Sequence, residues 1–109
     1  MVFGLFESKS EKLTKKYFKI ARELFAAGRR VLKNPDSDWW KKYWCVTDDH
    51  LREINQDIQK EMGKEYVINL ENMISKEYDK SKYFLTQEED DRLFDLISKY
   101  KIKNNIRLF

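Results

Sequence analysis

Apolar residues in this chain recur every three or four positions, the spacing of one helix face, and seldom every second position as in a half-buried strand. Leu13, Tyr17, Ile20, Leu24, Gly28 and Val31 form the first stripe. Phe18, Ala21, Phe25 and Leu32 widen it to about half the helix circumference. Ser8 and Glu11 stand at capping-box spacing ahead of it. Asn34 and Pro35 end it, because a residue before proline avoids the αR conformation. The pattern predicts a long helix over about 9–33. Gly28 lies on its apolar face, where a missing side chain lets another backbone come close.

The next segment is the most concentrated. Trp39, Trp40, Tyr43 and Trp44 hold every tryptophan in the chain. Wound as a helix they fall within an arc of about 140°, with Lys41 and Lys42 on the other side. Extended, the same segment would place a lysine on each face and sort nothing. A short aromatic helix is predicted over about 37–45, capped by Asp36 or Ser37. Thr47, followed by Asp48 and Asp49, reads as the cap of a further helix over about 48–62. Its stripe of Leu51, Ile54, Ile58 and Met62 spans only about 80°, so it should be largely exposed, and Gly63 should close it.

Tyr66, Leu70, Met73, Ile74 and Tyr78 predict a helix over about 66–78, although Tyr66, Val67 and Ile68 alone also fit a strand. Residues 79–82 read as a loop. Thr86 and Glu89 form a second capping box, and a helix over about 87–100 should bury Leu93, Phe94, Ile97 and Tyr100. The tail from Ile102 to Phe109 either docks on the body or frays. The sum is an all-α single domain, 1–109, built as an irregular bundle of four to five helices. A mixed fold with strands near 65–69 and 82–86 is the alternative.

Composition supports that reading. Three glycines and one proline supply few turns for a many-stranded sheet. Charged residues make up 38% and aromatic residues 15%, which argues for a heavily solvated exterior over an ordered core. At 109 residues the chain can bury a core without a disulfide or a metal. Its single cysteine, Cys45, is expected to be a buried free thiol in a reducing, cytoplasmic setting. Met1–Phe6 is apolar but too short and without a basic start, so no secretory signal is expected. No segment approaches the ~20 apolar residues of a membrane span.

The net charge of +3 hides a segregation. Residues 1–33 hold nine Lys/Arg against three Glu, residues 34–98 nine against sixteen acids, and residues 99–109 four with no acid. The basic residues of the first helix, Lys12, Lys15, Lys16, Lys19, Arg22, Arg29, Arg30 and Lys33, lie opposite its apolar side, and Lys15, Arg22 and Arg29 repeat every seven positions. Such a row either neutralises the acidic middle of the chain or follows a phosphate backbone. Met1–Phe6 inserted beside that row would be a membrane mode, which the commitment of the large apolar residues to a core opposes.

Catalytic chemistry finds little to work with. One histidine and one cysteine exclude His-rich metal sites. Asp49 with Glu53, and Asp57 with Glu61, are carboxylate pairs at i,i+4 that read as solvated faces. Cys45 and His50 are five positions apart with nothing to pair them, and Asp48–His50 is the remaining acid–imidazole cluster. No glycine-rich phosphate loop is present. The expectation is a non-enzymatic protein without cofactor, metal or catalytic residues. It would bind and regulate or inhibit a protein partner through Trp39, Trp40, Tyr43 and Trp44, with self-association open. The alternative is nucleic-acid binding through Lys12, Lys15, Lys19, Arg22, Arg29, Arg30 and Lys33, assisted by Lys101, Lys103 and Arg107.

Overall fold

Ser8 opens the first helix, its hydroxyl accepting from the Glu11 amide at 3.2 Å. In the computed structural model, which describes residues 8–107, that helix is α1, Lys9–Lys33. Asn34 ends it with both its amide and its side-chain nitrogen on the Arg30 carbonyl. A tight turn through Pro35 delivers Ser37, whose hydroxyl accepts from the Trp40 amide and starts α2, Asp38–Met62. Then come α3, Lys64–Asp79, and α4, Gln87–Lys103. The described residues contain four α-helices and no strand.

The segments expected as two helices, 37–45 and 48–62, are one unbroken helix of 25 residues. Trp40, Trp44, Thr47, Leu51, Ile54 and Ile58 step by four and three without a slip, and no glycine or proline lies between Asp38 and Met62. Nothing therefore breaks the helix at Thr47. That threonine is not a cap. It is buried mid-helix, and its hydroxyl returns its hydrogen bond to the Tyr43 carbonyl one turn back at 2.8 Å. Asp48 does not serve a helix terminus either and reaches Arg52 at i,i+4.

Neither candidate strand forms. Residues 65–69 lie inside α3, and residues 80–86 make turns held by Ser81 and by the Tyr78 hydroxyl, which accepts from the Leu85 amide at 2.8 Å. Gly63 sits between α2 and α3 at φ 89° and ψ 168°, a conformation open essentially to glycine alone. It lets two helices meet with no linker. Thr86 and Glu89 form the full reciprocal box at the start of α4, with bonds of 3.2 and 3.0 Å.

α1 and α2 pair along their length as a helical hairpin, and the other two helices take opposite ends of it. α3 joins the N-terminal half of α1 and the C-terminal half of α2 around Leu13, Tyr17, Ala21, Ile58, Val67, Leu70 and Ile74. α4 joins the other halves around Val31, Leu32, Cys45, Leu85, Leu93, Ile97 and Tyr100. Among the described residues α3 and α4 are not packed helix against helix, although Tyr78 at the end of α3 lines a cleft with Asp90 and Leu93 of α4. The result is elongated, 46 × 31 × 27 Å, with two apolar clusters on one spine. Gly28 faces the second cluster, where an added Cβ would lie 3.1 Å from Leu93 Cδ2, so a side chain of α4 and not a backbone occupies the gap. Phe94, expected in the core, is exposed. The buried line of α4 runs through Leu93, Ile97 and Tyr100, and Phe94 is turned about 100° from Leu93. Ile102 and Ile106 of the tail are exposed, while Leu108 and Phe109, like Met1–Phe6, lie outside the described residues.

Candidate functional site

The first two turns of α2 divide their aromatic residues between core and solvent. Trp40 and Trp44 pack half-buried against the second cluster. Trp39 and Tyr43 point outward, with Trp39 63% exposed. Their rings stack at 5.6 Å between centroids and 15° between planes. Trp39 meets Trp40 edge to face at 4.7 Å and 87°. The ring stack favours one orientation of Trp39 at the surface without burying it, a contact worth about 0.5–1.5 kcal/mol. The four aromatic residues therefore come together, but in two roles: two support and two present.

Arg30 of α1 continues this surface. Its guanidinium carbon lies 5.4 Å from the Trp40 ring centroid, over the ring. Glu23, Ala26, Ala27, Arg30, Trp39, Trp40 and Tyr43 line a cleft of about 350 Å³ between α1 and α2. On the other side of α1 a second cleft, of about 440 Å³, is lined by Ala26, Arg29, Arg30, Lys33, Lys82 and Tyr83. The two share Ala26 and Arg30. Sequence reading missed the contribution of Lys82 and Tyr83. Both belong to a turn segment with no periodicity, and only the fold brings it beside the end of α1.

The predicted basic row does not stay a row. Arg22 makes a two-pronged bond to Glu77 of α3, at 2.6 and 3.2 Å. Arg29 donates to Glu89 of α4 at 2.7 Å and to the Phe84 carbonyl. The acidic partners respond accordingly. The Arg22 hydrogen bond holds the Glu77 carboxyl below its usual range, and the Thr86 amide, followed by Arg29, does the same to Glu89. Of the line Lys15–Arg22–Arg29, two members thus face acids of this same chain. Lys12 and Lys15 are exposed at the N-terminal end. Lys19 lines a groove with Lys16, Ile20, Glu23, His50, Glu53 and Ile54. Arg30, Lys33 and Lys82 enter no ion pair among the described residues. Lys103 pairs with Asp38 at 3.1 Å, and Lys101 is buried.

The nucleophile candidates are separated by the helix that carries them. Cys45 faces the second cluster, where burial pushes its thiol up, and His50 is exposed on the groove beside Lys16 and Lys19. Burial also raises the Asp48 carboxyl. Its Oδ2 lies 3.0 Å from Arg52 Nη2 in a geometry too bent for a hydrogen bond. Among the described residues no three His, Cys, Asp or Glu side chains come together in a way that could hold a metal ion. No helix of the described residues is long and apolar enough to cross a membrane. No protein-family model, curated protein or solved structure matches this chain.

Proposed function

We propose that this chain is a non-enzymatic helical module that binds a protein partner through Trp39, Tyr43 and the cleft beside them, and regulates or inhibits that partner. The observation that carries this reading is Trp39, exposed by 63% and stacked on Tyr43. An ordered tryptophan held out of the core is the kind of anchor that dominates protein interfaces. Trp40 and Trp44 support it from within. The nucleic-acid alternative loses part of its framework, because Arg22 and Arg29 already spend their charge on Glu77 and Glu89.

Capture of partners by the tagged chain tests the proposal. The Trp39→Ala/Tyr43→Ala variant is expected to lose the captured protein while keeping its helical circular dichroism, and nuclease treatment is expected to leave the capture intact. Unchanged capture by that variant refutes the role of the aromatic surface. Loss of every captured protein on nuclease treatment refutes the protein-partner reading itself.

A further inference from the structure

The two clefts on either side of Ala26 are chemically unlike and share a wall. One is lined by Arg29, Arg30, Lys33 and Lys82 and by no acid. The other is lined by Trp39, Trp40 and Tyr43, with Glu23 and the shared Arg30. Between them α1 presents only a methyl group at position 26. A chain crossing α1 at Ala26 can therefore rest on the helix and reach into both.

From this geometry we infer that the partner is recognised by a short extended segment whose acidic end sits over Arg30, Lys33 and Lys82 and whose large apolar side chain enters the aromatic cleft. The inference rests on the protein-partner reading above and names the chemistry of that partner. Charge complementarity selects the acidic end. Arg29 is held by Glu89, but Arg30, Lys33 and Lys82 enter no ion pair among the described residues. Lys82 lies over the Tyr83 ring at 5.2 Å, so its ammonium is oriented at the cleft wall. Glu23 gives the crossing a direction. It offsets Arg30 in the aromatic cleft, which so carries no net charge against four cations in the other, and a uniformly anionic strand such as nucleic acid is drawn to one cleft and not to both. The spacing follows from dimensions. A helix is about 10 Å across and an extended chain advances ~3.3 Å per residue, so roughly three residues separate the acidic group from the apolar one.

Fluorescence titration of the full chain tests this, since Trp39 and Trp40 line the aromatic cleft. The probes are a synthetic peptide carrying a run of glutamates, a three-serine spacer and a phenylalanine, its glutamine counterpart, and oligothymidylate. The glutamate peptide is expected to give a saturable change that weakens with salt. The glutamine peptide, and the Lys33→Glu/Lys82→Glu variant with the glutamate peptide, should bind at least about tenfold more weakly. The inference is overturned by any of three results. The glutamate peptide gives no saturable change up to millimolar concentration, the variant binds it as the parent does, or oligothymidylate binds more tightly than the peptide. Should Lys33→Glu/Lys82→Glu leave partner capture unaffected while Trp39→Ala/Tyr43→Ala abolishes it, the acidic segment is excluded and the protein-partner function stands.

Discussion

Truncating one apolar cluster should loosen one end of this molecule and leave the other end closed. Leu70 of α3 is 4% exposed and belongs to the cluster around Tyr17 and Ile58. Leu70→Ala removes buried methyl groups and leaves a gap, at a cost of about 2–5 kcal/mol. That is a large share of the ~5–15 kcal/mol that holds a small domain. α3 packs along α1 and α2 and meets the other cluster through Tyr78 at its end, so opening its earlier turns breaks no helix packing against α4. Amide hydrogen exchange should report this directly. Protection at Val67, Leu70 and Ile74 is expected to fall roughly 30-fold or more, since each ~1.4 kcal/mol is a factor of ten. Protection at Leu93, Ile97 and Tyr100 should change by less than about threefold. Ile97→Ala, at a side chain 1% exposed in the other cluster, should give the mirror pattern. Cys45 supplies a second readout. It is buried beside α4 with its thiol raised by that burial, so its reaction with a disulfide reagent should quicken in Ile97→Ala and not in Leu70→Ala. Equal loss of protection in α3 and α4 from either variant would show a single cooperative unit and refute the two-cluster reasoning. The direct ties between the ends run through Tyr78, its hydroxyl on the Leu85 amide and its ring against Phe84, too little to make them one unit.

Two further outcomes are expected. Gly63→Ala should lower stability by about 1–3 kcal/mol in denaturant unfolding, because φ 89° with ψ 168° disfavours any Cβ; the site has no neighbour within 4 Å, so a steric clash cannot be the cause and an unchanged midpoint would refute the backbone argument. Burial raises the phenols of Tyr17, Tyr78 and Tyr100 above their ordinary value near 10. A raised folded-state value means that their contribution is complete below the unfolded tyrosine range and is lost as pH climbs through the folded values; the Cys45 thiol, raised by the same burial, begins its loss earlier, so it is the melting temperature of Cys45→Ala that should hold through pH 9 and fall in stronger alkali. A Cys45→Ala melting temperature that falls already between pH 7 and 9 would contradict that assignment.

Much of this protein was legible one helix at a time. The stripe from Leu13 to Val31, the proline after Asn34, the glycine at 63 and the Thr86–Glu89 box are local signals, and each marks an element that forms where it was expected. They are legible because capping and amphipathic spacing act within a few residues of sequence. The join at Thr47 was misread for the same reason. Threonine followed by two aspartates satisfies the local rule for a helix start, and only the unbroken packing of Trp40, Trp44, Leu51 and Ile58 on α1 and its neighbours overrides it. The candidate site depends on the tertiary structure more than any helix does. Sequence grouped the aromatic residues, but could not divide them into the supporting Trp40 and Trp44 and the presented Trp39 and Tyr43. It grouped the basic residues of α1, but could not foresee that Glu77 and Glu89 would claim Arg22 and Arg29 and that Lys82 would join Arg30 and Lys33. Helix periodicity fixes which residues share a face; what meets that face comes from chain separated by some 55–60 positions, and its placement is decided only when apolar burial draws the helices together.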